Sequence, residues 1–220
     1  MALSKTGEVL ERYPLKGFAD VEGMAYMGNG QVVLLEEISQ RLNFIKLPDT
    51  PGELDSKNAQ YISLGTRMNG KNKGLEGVSY DAEHDRLFVV KERDPRQLFE
   101  ISGVRKSLEQ GLHVEIRDLT QWIENGVFAK DLSDIYYDPG SGHIALLSHE
   151  STLLIELSEK GEVVSFRTFL GRLSDLKESA PQAEGVTMDN AGNLYMVSEP
   201  NLFYVFSKEK HLPALPLTAK

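Results

Sequence analysis

A repeat of about 50 residues constrains this chain more than any other feature. Four segments align: VEGMAYMGNGQVVLLEE (Val21–Glu37), LEGVSYDAEHDRLFVVKE (Leu75–Glu92), LSDIYYDPGSGHIALLSHE (Leu132–Glu150) and AEGVTMDNAGNLYMVSEP (Ala183–Pro200). Each opens with an acid, Glu22, Glu76, Asp134 and Glu184, at spacings of 54, 58 and 50 residues, and Gly follows three of the four. An alternating run comes next, then a turn rich in Gly, Asn and Asp, then a denser apolar run (VVLL, LFVV, IALL, LYMV). That order describes two strands joined by a tight hairpin whose residues tolerate positive φ. A third strand follows at Leu42–Leu47, Gln97–Ile101, Leu153–Leu157 and Leu202–Phe206, and a fourth at Ala59–Leu64, Val114–Asp118 and Val163–Leu170. Four antiparallel strands per unit make one propeller blade. The expected fold is therefore an all-β propeller of four-stranded antiparallel blades, a single domain over residues 1–220.

The last unit shows three strands before HLPALPLTAK. The segment Glu8–Leu15 (EVLERYPL) resembles Glu162–Leu170 and follows a similar lead-in, SKTGEV beside SEKGEV. Its expected place is as the fourth strand of the last blade, which removes the sheet edges and closes a ring of four. Helix is scarce: Asp118–Phe128 has Leu119, Trp122, Ile123 and Val127 at helical spacing, with Trp122 a core anchor, and Ser174–Glu178 adds a turn.

Composition narrows the function. A net charge of −9 argues against a nucleic-acid partner, because phosphate affinity comes from clustered Lys and Arg. The basic run Arg67–Lys73 reads as a solvated loop. Zero Cys removes disulfides, thiolate catalysis and Cys-type zinc sites. No apolar run approaches a membrane span, and the opening MALSKTGEV lacks the pattern of a signal peptide. Nucleophile elbows, P-loops and dinucleotide glycine motifs do not occur.

The repeating acids carry the chemistry. Each stands at the entrance of an innermost strand, and in a propeller those entrances ring one mouth of the central channel. Glu22, Glu76, Asp134 and Glu184 should converge there as a candidate metal site. The hairpin returns the chain to the same face 15 or 16 residues later, which adds a second ring of Glu37, Glu92, His149 and Glu199, with Glu36 and Glu150 adjacent. Two carboxylates 4–5 Å apart repel by roughly 3–4 kcal/mol at an effective dielectric near 20. Three routes relieve this: a hard cation, Ca²⁺ or Mg²⁺, bound by oxygens; carboxyls kept protonated; or intervening Arg41, Lys91 or Arg93. Alternatively, each acid closes a blade by accepting backbone N–H bonds of the next. His149 is the one histidine at a ring position and the candidate general base; His84 and His143 read as exposed turn residues. Ser148 beside it makes no triad signal, and Tyr26, Tyr80 and Tyr137 read as core packing on inner strands.

With AEGVTMDNAGNLYMVSEPNLFYVF, LEGVSYD, KERDP and LLSHES, the chain resembles the SdiA-regulated (YjiK-like) family of bacterial β-propellers over nearly its whole length. More distantly, its Glu-Gly strand entrances are similar to calcium-dependent propeller hydrolases, the gluconolactonases, paraoxonases and phytase-like esterases. The resemblance implies a five-bladed parent, whereas the strand count permits four. It also implies an N-terminal anchor and a place in the periplasm or cell envelope, with Ca²⁺ at the acidic mouth. Fold alone does not give function. Two readings follow: a module that binds a small molecule or protein at the channel face, or a metal-dependent hydrolase of a lactone, ester or phosphoester. An open coordination position separates them.

Overall fold

The computed structural model describes residues 1–65, 74–111, 113–124 and 126–208. Arg67–Lys73, His211 and the HLPALPLTAK segment lie outside the described residues.

The chain begins with a hairpin, β1 (Ala2–Leu3) against β2 (Val9–Glu11), followed by β3 (Leu15–Lys16). Blade one comprises β4 (Val21–Gly28), β5 (Gln31–Glu36), β6 (Arg41–Lys46) and, after β7 (Leu54–Asp55), β8 (Gln60–Ser63). Blade two comprises β9 (Leu75–Asp81), β10 (Arg86–Lys91), β11 (Gln97–Ser102) and, beyond helix α1 (Val104–Gln110), β12 (Glu115–Asp118). Helix α2 (Thr120–Glu124) leads to blade three, β13 (Asp134–Asp138), β14 (His143–Ser148), β15 (Leu153–Leu157) and β16 (Val163–Thr168). Blade four has three strands, β17 (Ala183–Met188), β18 (Leu194–Ser198) and β19 (Leu202–Phe206). All strand pairs within blades are antiparallel, so the four-blade propeller read from the repeat is the observed fold. Helix α1 is an element that the repeat pattern does not announce. No helix among the described residues is long and apolar enough to cross a membrane.

Three apolar layers join consecutive blades. Val33, Leu35 and Phe44 meet Val78, Leu87 and Val89 between blades one and two. Phe88, Val90 and Leu98 meet Ile135, Ile144 and Leu146 between two and three. Ala145, Leu147 and Leu154 meet Val186, Leu194 and Met196 between three and four. This sandwiching explains why β10 and β14 read as continuous apolar runs; on β5, Val32 and Leu34 are covered instead by Tyr13 and Phe18 of the N-terminal segment. Trp122 anchors against the layer between blades two and three, as expected.

The seam between blades four and one is different. The segment expected to become the fourth strand of blade four pairs instead with β1. A local turn directs it: Ser4 donates its N–H to Glu8 O at 2.8 Å, its Oγ accepts from Glu8 N at 3.0 Å, and Gly7 takes φ +85°. The hairpin touches blade four through side chains, with Gly7 against the Phe203 ring and Lys5 Nζ 2.6 Å from Asp189. The chain then crosses to blade one, where Tyr13 and Phe18 cover Val32, Leu34 and Ile45 and β3 runs parallel to β7. Among the described residues no apolar layer joins blade four directly to blade one. Met24 and Tyr26 on β4 are therefore 58% and 61% exposed, while Val78 and Val186, the counterparts of Met24, are buried. Tyr26 is not core, contrary to expectation, because no blade packs on that face; Tyr137 is buried and Tyr80 lies in the layer between blades one and two.

The Gly of the Glu-Gly pair has a steric cause in blades one and two. A Cβ on Gly23 would lie 2.7 Å from Glu76 O, and one on Gly77 would lie 2.6 Å from Asp134 Cα. Neighbouring inner strands thus touch backbone to backbone at their entrances. Gly77→Ala is expected to destabilise by about 1–3 kcal/mol, the usual cost of overpacking, lowering Tm by several degrees. Gly52→Ala, whose Cβ meets only Thr50 O at 3.7 Å, should leave Tm unchanged in the same melt.

Candidate functional site

The backbone fixes both rings of acids. In three blades the residue ending the hairpin donates its N–H two positions upstream of the entrance acid: Glu37 to Asp20 O at 2.9 Å, Glu92 to Gly74 O at 3.0 Å and Glu199 to Gln182 O at 3.0 Å. Asp20 and Gln182 take φ +55° and +26° to make this turn. Glu37, Glu92 and Glu199 are thereby held beside Glu22, Glu76 and Glu184.

The closest grouping is Asp20, Glu22 and Glu37, which offer carboxylate oxygens all within 4.8 Å of one another. Asp20 was not among the expected residues, although its place two residues before Glu22 on the strand entrance was a usable signal. Glu37 is buried and accepts the Gly74 N–H at 2.9 Å. Burial raises the Glu22 carboxyl above its ordinary value, and Asp20, Glu37 and Glu184 add repulsion. Glu37 is raised by burial and by Asp20 and Glu92, against the Gly74 N–H. Glu76 is pushed up to about 9, first by burial and then by Glu37, Glu22, Glu92 and Glu184. Glu184 is raised by burial and by Glu199, Asp131 and Glu92, while His149 opposes the rise. Glu22, Glu76 and Glu184 therefore share one field with Glu37, Glu92 and Glu199.

Asp134 is the first-ring acid that takes another role. Its Oδ2 accepts the Val186 N–H of blade four at 2.8 Å, and the Ile135 N–H also bonds it. Burial nevertheless pushes its carboxyl up to about 7. This is the blade-closing use of an acid, realised in one blade. Glu36 likewise turns inward, accepting from Ala19 N at 2.8 Å and from the Ser39 hydroxyl.

Blade three supplies a different arrangement. Asp131, fully buried, lies three residues before Asp134 and outside the repeat pattern, where no spacing singles it out. It accepts from the Ser148 hydroxyl and from Glu150 N at 3.2 Å. His149 Nδ1 lies 2.9 Å from Asp131 Oδ2 and 3.8 Å from Glu184 Oε1. The two atoms are close, but their geometry is not that of a hydrogen bond. Ser148 thus serves as a support for Asp131, not as a nucleophile aligned with His149.

Of the three bases expected to intervene, Arg93 does so, pairing with Glu92 and Glu150. Lys91 is buried and donates to Arg93 O and Pro95 O, and Arg41 stacks 4.5 Å over the Tyr61 ring. His84 is exposed beside Asp81, as expected, whereas His143 opens β14 and bonds Glu156 at 2.7 Å. The mouth is thus relieved by Arg93 on one side and left acidic on the side of Asp20, Glu22, Glu37 and Glu76. That side presents hard oxygen donors suited to Ca²⁺ or Mg²⁺.

A pH dependence follows. Glu76 and Asp134 bind protons more tightly folded than unfolded, so the native state holds the extra protons between the ordinary carboxyl range and their raised values. Stability falls as pH rises through that window. The Tm of protein in chelator is expected to decline from about pH 5 to about pH 9, and Glu76→Gln to flatten the decline. A wild-type Tm constant across this range is the contrary result.

Comparison with known proteins places the fold in company. Glutaminyl cyclase from Myxococcus xanthus is 16% identical with a TM-score of 0.55, the match covering 84% of this chain and 63% of that one. Catalytically inactive virginiamycin B lyase from Staphylococcus aureus, solved with quinupristin, is 12% identical with a TM-score of 0.51, covering 93% and 59%. The PQQ-bound aldose sugar dehydrogenase from Streptomyces coelicolor is 11% identical with a TM-score of 0.50, covering 87% and 59%. The chain thus spans less than two thirds of each of these proteins, and at these identities the likeness is one of fold. The family model for SdiA-regulated proteins matches residues 1–207, and the chain belongs to the SdiA-regulated family.

Proposed function

We propose that this protein is a ligand-binding β-propeller of the bacterial envelope whose channel mouth holds a hard divalent cation, Ca²⁺ or Mg²⁺. The carrying observation is the clustering of Asp20, Glu22 and Glu37 oxygens within 4.8 Å beside a Glu76 carboxyl pushed up to about 9. A cation there offsets the mutual repulsion and lets Glu76 ionise at neutral pH. Asp20, Glu22 and Glu37 hold it, and the exposed side of the mouth accepts an oxygen-bearing small molecule or a protein carboxylate. The envelope location rests on the family resemblance alone.

A second reading has its own observation. The buried Asp131 carboxylate stands 2.9 Å from His149 Nδ1, at the acidic mouth beside Glu184. In this reading the protein hydrolyses a lactone, ester or phosphoester, His149 acting as general base toward water beside the cation.

Thermal melting tests the cation, and turnover separates the two readings. A cation at about 100 times its Kd is expected to stabilise by ~2.7 kcal/mol, several degrees for a domain of this size. The shift should appear with Ca²⁺ or Mg²⁺ over EDTA and disappear in Glu22→Gln. No shift with either ion sinks the cation site. His149→Ala is expected to keep the shift; if wild-type protein turns over a panel of lactones and phosphoesters, the variant should lose that turnover. A wild-type protein that binds the cation but cleaves none of them excludes the hydrolase.

A further inference from the structure

The hairpin of β1 and β2 repeats another hairpin of this chain bond for bond. In blade three, Ser158 donates its N–H to Glu162 O at 2.8 Å, its Oγ accepts from Glu162 N at 3.2 Å, and Gly161, at φ +78°, donates to Ser158 O at 2.9 Å. Ser4, Glu8 and Gly7 make the same three bonds at 2.8, 3.0 and 3.0 Å, with Gly7 at φ +85°. The irregularity in pairing repeats too: the register shifts between Ala2 and Leu3 as it does between Glu156 and Leu157. β15 and β16 are the third and fourth strands of their blade. β1 and β2 therefore hold third and fourth positions as well, and among the described residues no strand of their sheet takes the first and second.

The space for those two strands lies between blades four and one. Its outer half is filled. Tyr13 and Phe18 cover Val32, Leu34 and Ile45 on blade one, and Gly7 rests on the Phe203 ring of blade four. Its inner half is bare on both walls. Met24 and Tyr26 pair with Leu34 and Val32 across β4 and β5, so they share the face of those covered residues, yet they are 58% and 61% exposed. On blade four, Val197 pairs with Phe203 and Val205 with Tyr195, which sets these side chains on the face turned to blade one. Val197 and Val205 are 41% and 46% exposed. At the mouth end of the space, Glu22 and Glu184 repel each other across it.

We propose that this slot is a docking site for a β-hairpin of another polypeptide, which enters as the two inner strands and completes the blade that β1 and β2 begin. The free edge of β1 selects a strand, since unpaired backbone N–H and C=O groups are satisfied by another strand, and strand addition at an open edge is a general mode of peptide recognition. The walls select its side chains: apolar on both faces, as on β10 and β14. Glu22 and Glu184 select Lys or Arg at the end of the hairpin beside the mouth. A second folded copy of this chain has no such hairpin to give, because each of its inner strands is already paired within its own blade. A small apolar molecule would cover the walls and leave the edge of β1 unpaired.

The test is binding of a labelled synthetic peptide to the full chain, read by fluorescence anisotropy in EDTA so that no cation enters the result. The peptide is Leu75–Lys91 of this sequence with Glu76→Lys, an inner hairpin with apolar residues on both faces and lysines at its mouth end. Wild type is expected to bind it with a Kd below about 100 µM. The same peptide with Val89→Pro, which removes a strand N–H, should not bind. Met24→Lys and Val197→Lys, one on each wall, should each weaken binding at least about tenfold, while Ile116→Lys on β12 leaves it unchanged. All three side chains are exposed, and a Tm near wild type establishes that each variant folds. Amide exchange in β1 should slow when the peptide is present. No binding up to about 1 mM peptide overturns the proposal. So does binding that both wall variants preserve, which places the contact elsewhere. Sedimentation of the chain alone should show a monomer; a dimer lost in Met24→Lys gives the slot to a second copy and also overturns it.

Discussion

The close approach of inner strands at the Glu-Gly entrances is the contact on which the rest depends. Gly23 leaves room for the Glu76 carbonyl and Gly77 for the Asp134 backbone. With Cβ atoms in those places the strands would stand farther apart, the apolar layers between blades would open, and the carboxylates would separate. The same contact that packs the propeller therefore concentrates negative charge at its mouth. Folding free energy from the three inter-blade layers sustains an arrangement that electrostatics alone opposes.

The four repeats spend their acids differently, and the difference lies in what each carboxylate faces. Asp134 is short enough to reach the Val186 N–H of the next blade and becomes part of the scaffold. Glu22 and Glu76, one methylene longer, stay with other carboxylates. Glu184 faces His149, a base that blade three alone supports with a buried acid. A mouth built by repetition is thus chemically asymmetric: a carboxylate side around Asp20, Glu22 and Glu37, and an imidazole side around Asp131, His149 and Glu184.

Much of this was legible in the residues. The period of the hairpins, their turn chemistry and the unbroken apolar second strands specified blades, because each signal is local and repeated four times. The acid positions followed from counting along hairpins. What escaped had causes outside the repeat. The N-terminal strand resembles Glu162–Leu170, yet the turn made by Ser4 and Gly7 pairs it with β1 instead of blade four. Helix α1 is seven residues between Gly103 and Gly111, too brief for a periodic pattern to stand out. Asp20 and Asp131 sit just upstream of the motif, where the backbone turns that aim them depend on tertiary contacts.

The seam between blades four and one gives the ring a mechanical character. Three of its junctions are filled by interlocked side chains and resist strain. At the fourth, a strap of residues crosses the gap, held by Lys5 on Asp189 and Gly7 on Phe203 at one end and by Tyr13 and Phe18 at the other. A split ring is compliant across its slit and stiff elsewhere. Glu22 and Glu184 stand on the two lips of that slit, so theirs is the spacing that yields most readily to the radius of whatever lodges between them.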